Sequence, residues 1–100
     1  MSSLKPKIRV LTVPERKIQR RGDRYLVTLP GEYRCLLDRF RVENVWILVD
    51  NYWIPIGVRK PYVEKGKLIV YLPKRLNNIW SKLHEAEQKV TIVFEGEYHE

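Results

Sequence analysis

A six-residue pattern occurs twice in this chain. Tyr25-Leu26-Val27-Thr28-Leu29-Pro30 returns 43 residues later as Leu68-Ile69-Val70-Tyr71-Leu72-Pro73. The same offset relates the apolar positions that follow, Tyr33, Leu36, Leu37 and Phe40 in the first copy and Leu76, Ile79, Trp80 and Leu83 in the second. Their i, i+3, i+4, i+7 spacing is that of one helix face. Further on, Val45-Trp46-Ile47-Leu48-Val49-Asp50 parallels Val90-Thr91-Ile92-Val93-Phe94-Glu95 at an offset of 45, which places two extra residues in the second copy's loop. Similarity at a fixed period marks a duplicated supersecondary unit. A chain of 100 residues holds one modest core, so the two copies must share it.

Each copy reads the same way. A basic stretch (Arg16 to Arg21; Lys60 to Lys65) meets a glycine turn, Gly22-Asp23 or Lys65-Gly66, and returns as a strand. This is the pattern of a β-hairpin. Period-two alternation puts Tyr25, Val27 and Leu29 on one face with Leu68, Val70 and Leu72 as counterparts, and starts the opposite face at Arg24 and Lys67. Pro30 and Pro73 mark the change from strand to helix, because proline cannot donate to a ladder yet suits a first helical turn. A helix of about ten residues follows in each copy, and a second strand closes the unit. The expected fold is therefore mostly β with two short helices, a single domain over residues 1–100 built from tandem strand-helix-strand units at 15–57 and 58–95.

The two copies end differently. Val45 to Val49 is apolar on both faces and passes through Asp50-Asn51 into Tyr52-Trp53-Ile54-Pro55-Ile56, a hairpin whose last strand Pro55 confines to an edge. Val90 to Phe94 has too little chain after it for such a partner. The segment 8–13, Ile8-Arg9-Val10-Leu11-Thr12-Val13, is an extra strand, expected to pair with Val90–Phe94 and close the sheet from the other end of the chain.

Charge narrows the function. The net charge is +7, and residues 1–24 carry eight bases against Glu15 and Asp23, whereas residues 84–100 carry Lys89 against five glutamates. Such a field favours a polyanion or an anionic surface. The sequence has no apolar run of membrane-spanning length and no signal-peptide core, so the expectation is a cytoplasmic protein with no membrane partner. Cys35 stands alone, far in sequence from His84 and His99, and is expected as a small half-buried thiol. Phosphate-binding glycine loop, metal-ligand cluster and activated nucleophile are all missing, so no enzyme, cofactor, metal or small-molecule substrate is expected.

The run Arg16-Lys17-Ile18-Gln19-Arg20-Arg21-Gly22-Asp23-Arg24-Tyr25-Leu26-Val27-Thr28-Leu29-Pro30-Gly31-Glu32-Tyr33 resembles the swapped-hairpin, AbrB/MazE-type domain, in particular the archaeal variety found at the front of PhoU-like regulators. The resemblance covers residues 15–57 well and the second unit more loosely. It implies an AbrB-like barrel in which two units interlock, here both on one chain as a pseudo-dimeric monomer or as part of a homodimer. It also implies binding of double-stranded DNA, as in transcription regulation, through Arg16, Lys17, Arg20, Arg21 and Arg24, with Arg59, Lys60, Lys65 and Lys67 from the second unit. The chain lacks the long acidic or apolar tail of toxin-neutralising members.

Two further features bear on binding. Lys74 and Arg75 directly follow Pro73, where a helix N-terminus disfavours cations by roughly 0.3 to 1 kcal/mol each, so a bound phosphate would turn a cost into a gain. Trp46 and Trp80 fall at core or interface positions, leaving Tyr52 and Trp53 as the exposed aromatic pair. The sequence supports a DNA-binding regulator or architectural protein gripping duplex phosphates with two basic hairpin tips. The alternative is a protein-interaction module, an antitoxin-like or adaptor subunit, whose basic surface only solubilises it.

Overall fold

A computed structural model describes residues 9–98. The chain runs β1 (Arg9–Lys17), β2 (Gln19–Arg21), β3 (Arg24–Leu29), α1 (Tyr33–Asp38), β4 (Phe40–Val49), β5 (Tyr52–Gly57), β6 (Tyr62–Glu64), β7 (Lys67–Tyr71), a 3-10 turn (Lys74–Leu76), α2 (Asn77–Glu85) and β8 (Lys89–Tyr98). No helix among these residues is long and apolar enough to cross a membrane.

The strands form two four-stranded antiparallel sheets, ordered β1-β8-β4-β5 (the first sheet) and β2-β3-β7-β6 (the second sheet). A closed barrel was expected, and the sheets do not close into one. The chain passes from one sheet to the other at two edges, β1 into β2 and β5 into β6, where the ladder is interrupted. Glu15 at φ 57° and the register shift between Val13 and Arg16 bend the first crossing, and Gly57 at φ 82° bends the second. Pro14, Pro55 and Pro61 withhold donors along the same edges.

The core lies between the sheets. Val27, Leu29, Leu68, Val70 and Leu72 of the second sheet and its margins meet Val13, Val45, Ile47, Ile56, Val90, Ile92 and Phe94 of the first. Their alternation is the period of two that the sequence shows. Gly22 at φ 62° opens the β2–β3 turn, whereas Lys65 at 51° and Gly66 at 80° are both left-handed in the β6–β7 turn. The first pattern fits a type II′ hairpin and the second a type I′ hairpin.

The register makes the duplication geometric. β3 and β7 pair antiparallel through Leu26↔Tyr71, Val27↔Val70 and Thr28↔Ile69, so a pseudo-two-fold axis passes through the Val27/Val70 rung. β4 and β8 pair through Trp46↔Val93, Ile47↔Ile92 and Leu48↔Thr91, which puts a matching axis at Ile47/Ile92. Even the helix entrances agree, with the Tyr33 amide donating to the Pro30 carbonyl and the Leu76 amide to the Pro73 carbonyl.

The strand expected from Ile8–Val13 is present from Arg9, Ile8 lying outside the described residues, and it pairs with β8 from Arg9↔Gly96 to Lys17↔Lys89. Gly57 faces Val45 as Arg16 faces Val90, so β5 stands in the second unit where β1 stands in the first. The structural repeat therefore divides at the Asp50-Asn51 turn, and each half reads strand, hairpin strand, hairpin strand, helix, strand. In this division β1 belongs to the first half and β5 opens the second.

Two local expectations need correction, the length of α1 and the burial of Cys35. α1 is six residues long because Arg39 leaves helical geometry and Phe40 already pairs with Tyr98 as a strand residue. Leu36, counted in the helix stripe, is consequently 43% exposed. Cys35 is exposed, not half-buried, because it lies on the outer side of this short helix. Trp80 is fully buried, but Trp46 sits half-buried on the outward face of the first sheet, since it is the partner of outward-facing Val93.

Candidate nucleic-acid interface

The outward face of the second sheet collects the side chains that alternate away from the core: Arg24, Leu26 and Thr28 from β3, and Lys67, Ile69 and Tyr71 from β7. Leu26 and Ile69 are buried although they point outward. Their direct partners across the ladders include Tyr71 and Tyr62, whose large side chains close over them. Arg16 adds to this cover, donating from Nε to the Thr28 carbonyl at 2.7 Å and from Nη2 to Thr28 Oγ1 at 3.1 Å.

On that apolar base stands a layered cluster of arginine and tyrosine. Tyr62 and Tyr71 stack with ring centroids 5.7 Å apart, and the Arg24 guanidinium lies 4.1 Å from the Tyr71 ring centre. A cation over a tyrosine face at partly exposed sites is worth about 0.5–1 kcal/mol. Arg21 reaches over the same ring, donating to the Tyr71 hydroxyl at 2.8 Å and to the Glu64 carboxylate. Glu64 thereby raises the already high pKa of Arg21, chiefly through that hydrogen bond. Partial burial, with a further contribution from neighbouring Tyr71, pushes the Tyr62 phenol above its ordinary range. Nε of Arg24 is buried and has no acceptor among the described residues.

The remaining candidates are dispersed. Arg20 points to the core side of β2, opposite Tyr25, and folds back to donate to the Gly22 carbonyl at 2.8 Å. Lys17 lies beside Lys89 in the first sheet and approaches Glu87 at 4.0 Å. Arg59 is half-buried and donates to the Ile56 carbonyl at 3.3 Å. Lys60 lines a separate cleft under α1. Lys65 and Lys67 are exposed at the second turn, on and beside the basic face.

The two hairpin turns do not project side by side. Because β3 and β7 are antiparallel, the Gly22-Asp23 and Lys65-Gly66 turns lie at opposite ends of the second sheet. At ~3.3 Å per residue, the six-residue β3 separates them by roughly 20 Å.

Lys74 and Arg75 flank the first turn, though not as the start of an α-helix. They occupy a 3-10 turn, and α2 begins at Asn77. Lys74 donates to the Asp23 carboxylate at 3.2 Å, and Asn77 Nδ2 donates to the Asp23 carbonyl at 2.9 Å. Lys74, expected to meet a phosphate, has the Asp23 carboxylate beside it. That hydrogen bond holds Asp23 below the usual carboxylate range.

Tyr62, Tyr71 and Glu64 were missed in the sequence. The signal was available: Tyr71 shares its parity with Lys67, and the Lys65-Gly66 turn brings Tyr62 opposite Ile69. Tyr71 has the opposite parity to the core residues Leu68, Val70 and Leu72, so the alternation that puts Tyr25 in the core puts Tyr71 on the outer face. Comparisons with protein-family models, curated proteins and solved structures return no match to this chain.

Proposed function

We propose that this protein binds double-stranded DNA through the outward face and two turns of the second sheet, acting as a small regulator of transcription or an architectural protein. The observation that carries the reading is the convergence of Arg16, Arg21, Arg24 and Lys67 on one sheet face. Phosphate oxygens supply acceptors and charge together. Turns roughly 20 Å apart along the β3–β7 pair suit contacts spread over both strands of a duplex. The tandem units, each with a basic hairpin and a Leu-Pro entrance to a short helix, support the AbrB-like, swapped-hairpin reading of the fold.

The test is duplex binding as a function of salt. Each neutralised phosphate contributes about −0.9 to the slope of log affinity against log salt, so four to six contacts give roughly −4 to −5. Replacing Arg24 and Lys67 together by Ala should flatten that slope by about 2, whereas Lys89→Ala on the first sheet should leave it unchanged. Equal flattening by both changes would reduce the interaction to net charge and remove the second sheet as the site.

A protein-interaction role has one observation in its favour. Val10, Trp46, Trp53, Val93 and Glu95 line an outward hollow on the first sheet, with Val10 58% and Trp53 54% exposed. Its measure is sedimentation of the wild type and Trp53→Ser across concentration. Self-association lost in the variant would favour this surface.

A further inference from the structure

The pseudo-symmetry fails where the helices pack. At the α2 end of the sandwich, Trp80 is fully buried and donates from Nε1 to the Pro73 carbonyl at 2.9 Å, while Tyr25 is buried beside it and meets His84 edge-on. The positions that correspond at the α1 end, 43 residues away in each case, hold Leu37 and Leu68. Two aromatic rings are thus replaced by two leucines, and α1 is shorter than α2 by three residues. What opens is a cleft of about 340 Å³ lined by Leu37, Phe40, Val42, Pro61 and Leu68, with charged side chains from Arg34, Asp38, Arg41 and Lys60. That volume lies at the lower end of the range for small-ligand sites.

The charges in the cleft are unequal. Arg41 is already held by Glu97 at 2.8 Å and Glu43 at 3.4 Å. Arg34 and Lys60 have no ion-pair partner within 4.0 Å among the described residues, and Asp38 is the one carboxylate in the lining. We infer that this cleft is a binding site for a small organic anion with a flat apolar body, the body occupying the space that Trp80 and Tyr25 fill in the other half and the anionic group meeting Arg34 and Lys60. The site is separate from the proposed DNA face, since it opens beneath α1 and not on the outward side of the second sheet.

1-Naphthyl phosphate is a suitable probe, with 1-naphthalenemethanol and inorganic phosphate as its two halves. Titrated against methyl-labelled protein, naphthyl phosphate should shift the Leu37, Val42 and Leu68 methyl signals saturably, and each half alone should bind at least tenfold more weakly. Arg34→Gln with Lys60→Gln should weaken naphthyl phosphate at least tenfold while the thermal unfolding midpoint stays within a few degrees. Leu37→Trp, which copies the filled half, should abolish the shifts. If inorganic phosphate binds as well as the full probe, or if the double variant binds unchanged, the inference is overturned. Shifts confined to Val10 and Val93 would overturn it too, since they belong to the first sheet's outward face. Duplex affinity is unaffected by Arg34→Gln under this inference, so its failure and that of the DNA reading are read separately.

Discussion

Asp23 shows how one side chain ties turn to helix. Its carboxylate accepts from Lys74 and its carbonyl accepts from Asn77, so the first hairpin is fastened to the entrance of α2 from both ends of one residue. Its pKa is lowered in the folded protein, first by the Lys74 hydrogen bond and then by the charge of that lysine. A depressed acid contributes stability that is present above its unfolded pKa, about 3.9, and that is lost as pH falls through the folded value. Both partners are largely exposed, so the contribution is small. The stability difference between wild type and Asp23→Asn in urea should therefore stay constant above about pH 5 and shrink as pH is lowered below 4. A difference independent of pH would mean that the Asn77 contact alone does the fastening. Arg24 is the complementary case, a cation whose ring contact is complete and whose Nε has no acceptor among the described residues.

Among the elements, β8 carries the tightest constraint. A Cβ on Gly96 would stand 1.9 Å from the Arg41 carbonyl oxygen and 3.0 Å from Phe40 Cε2. The obstacle is backbone in the neighbouring strand, next to the register shift between Val42 and Asn44, so no rotamer relieves it. Gly96→Ala should cost about 1–3 kcal/mol or more in chemical denaturation, through overpacking. Gly22→Ala meets open space but demands φ 62°, and should cost about 1–2 kcal/mol. A smaller loss at Gly96 than at Gly22 would show that β4 yields. These elements were legible in unequal measure. The hairpins and the β1–β8 pairing follow from alternation and glycine turns, which are local signals. The length of α1 was hidden because Phe40 continues the helical spacing while serving as a strand residue, and only its pairing with Tyr98 decides between them. The arginine–tyrosine cluster was half legible: the bases were named, but their grouping depends on the antiparallel β3–β7 register, which sends the two turns apart. The cleft beneath α1 was wholly hidden, since it arises from a difference between two halves whose sequences align.

The molecule as a whole is a nearly cyclic arrangement of two similar halves. β4 joins β5 through the Asp50-Asn51 turn, and β8 lies beside β1 in the corresponding position. A circular permutant that starts at Asn51, with residue 100 joined to residue 1 so that 99–100 and 1–8 form the connection, should fold to the same two sheets and show the same methyl contacts around Ile47 and Ile92. Loss of a cooperative unfolding transition in that permutant would show that the Asp50-Asn51 turn is needed for more than connection. Truncating either residue on the axis, Ile47→Ala or Ile92→Ala, should cost about 2–5 kcal/mol, because both are fully buried. The β1–β8 ladder also decides how the molecule answers a pulling force. Arg9 and Tyr98 lie at the same end of that ladder, so tension between them enters at the Arg9↔Gly96 rung and opens the pairs one after another, like a zip, at low force. Attached instead at Lys17 and Tyr98, the same two strands are loaded along their length, and all their rungs must yield together.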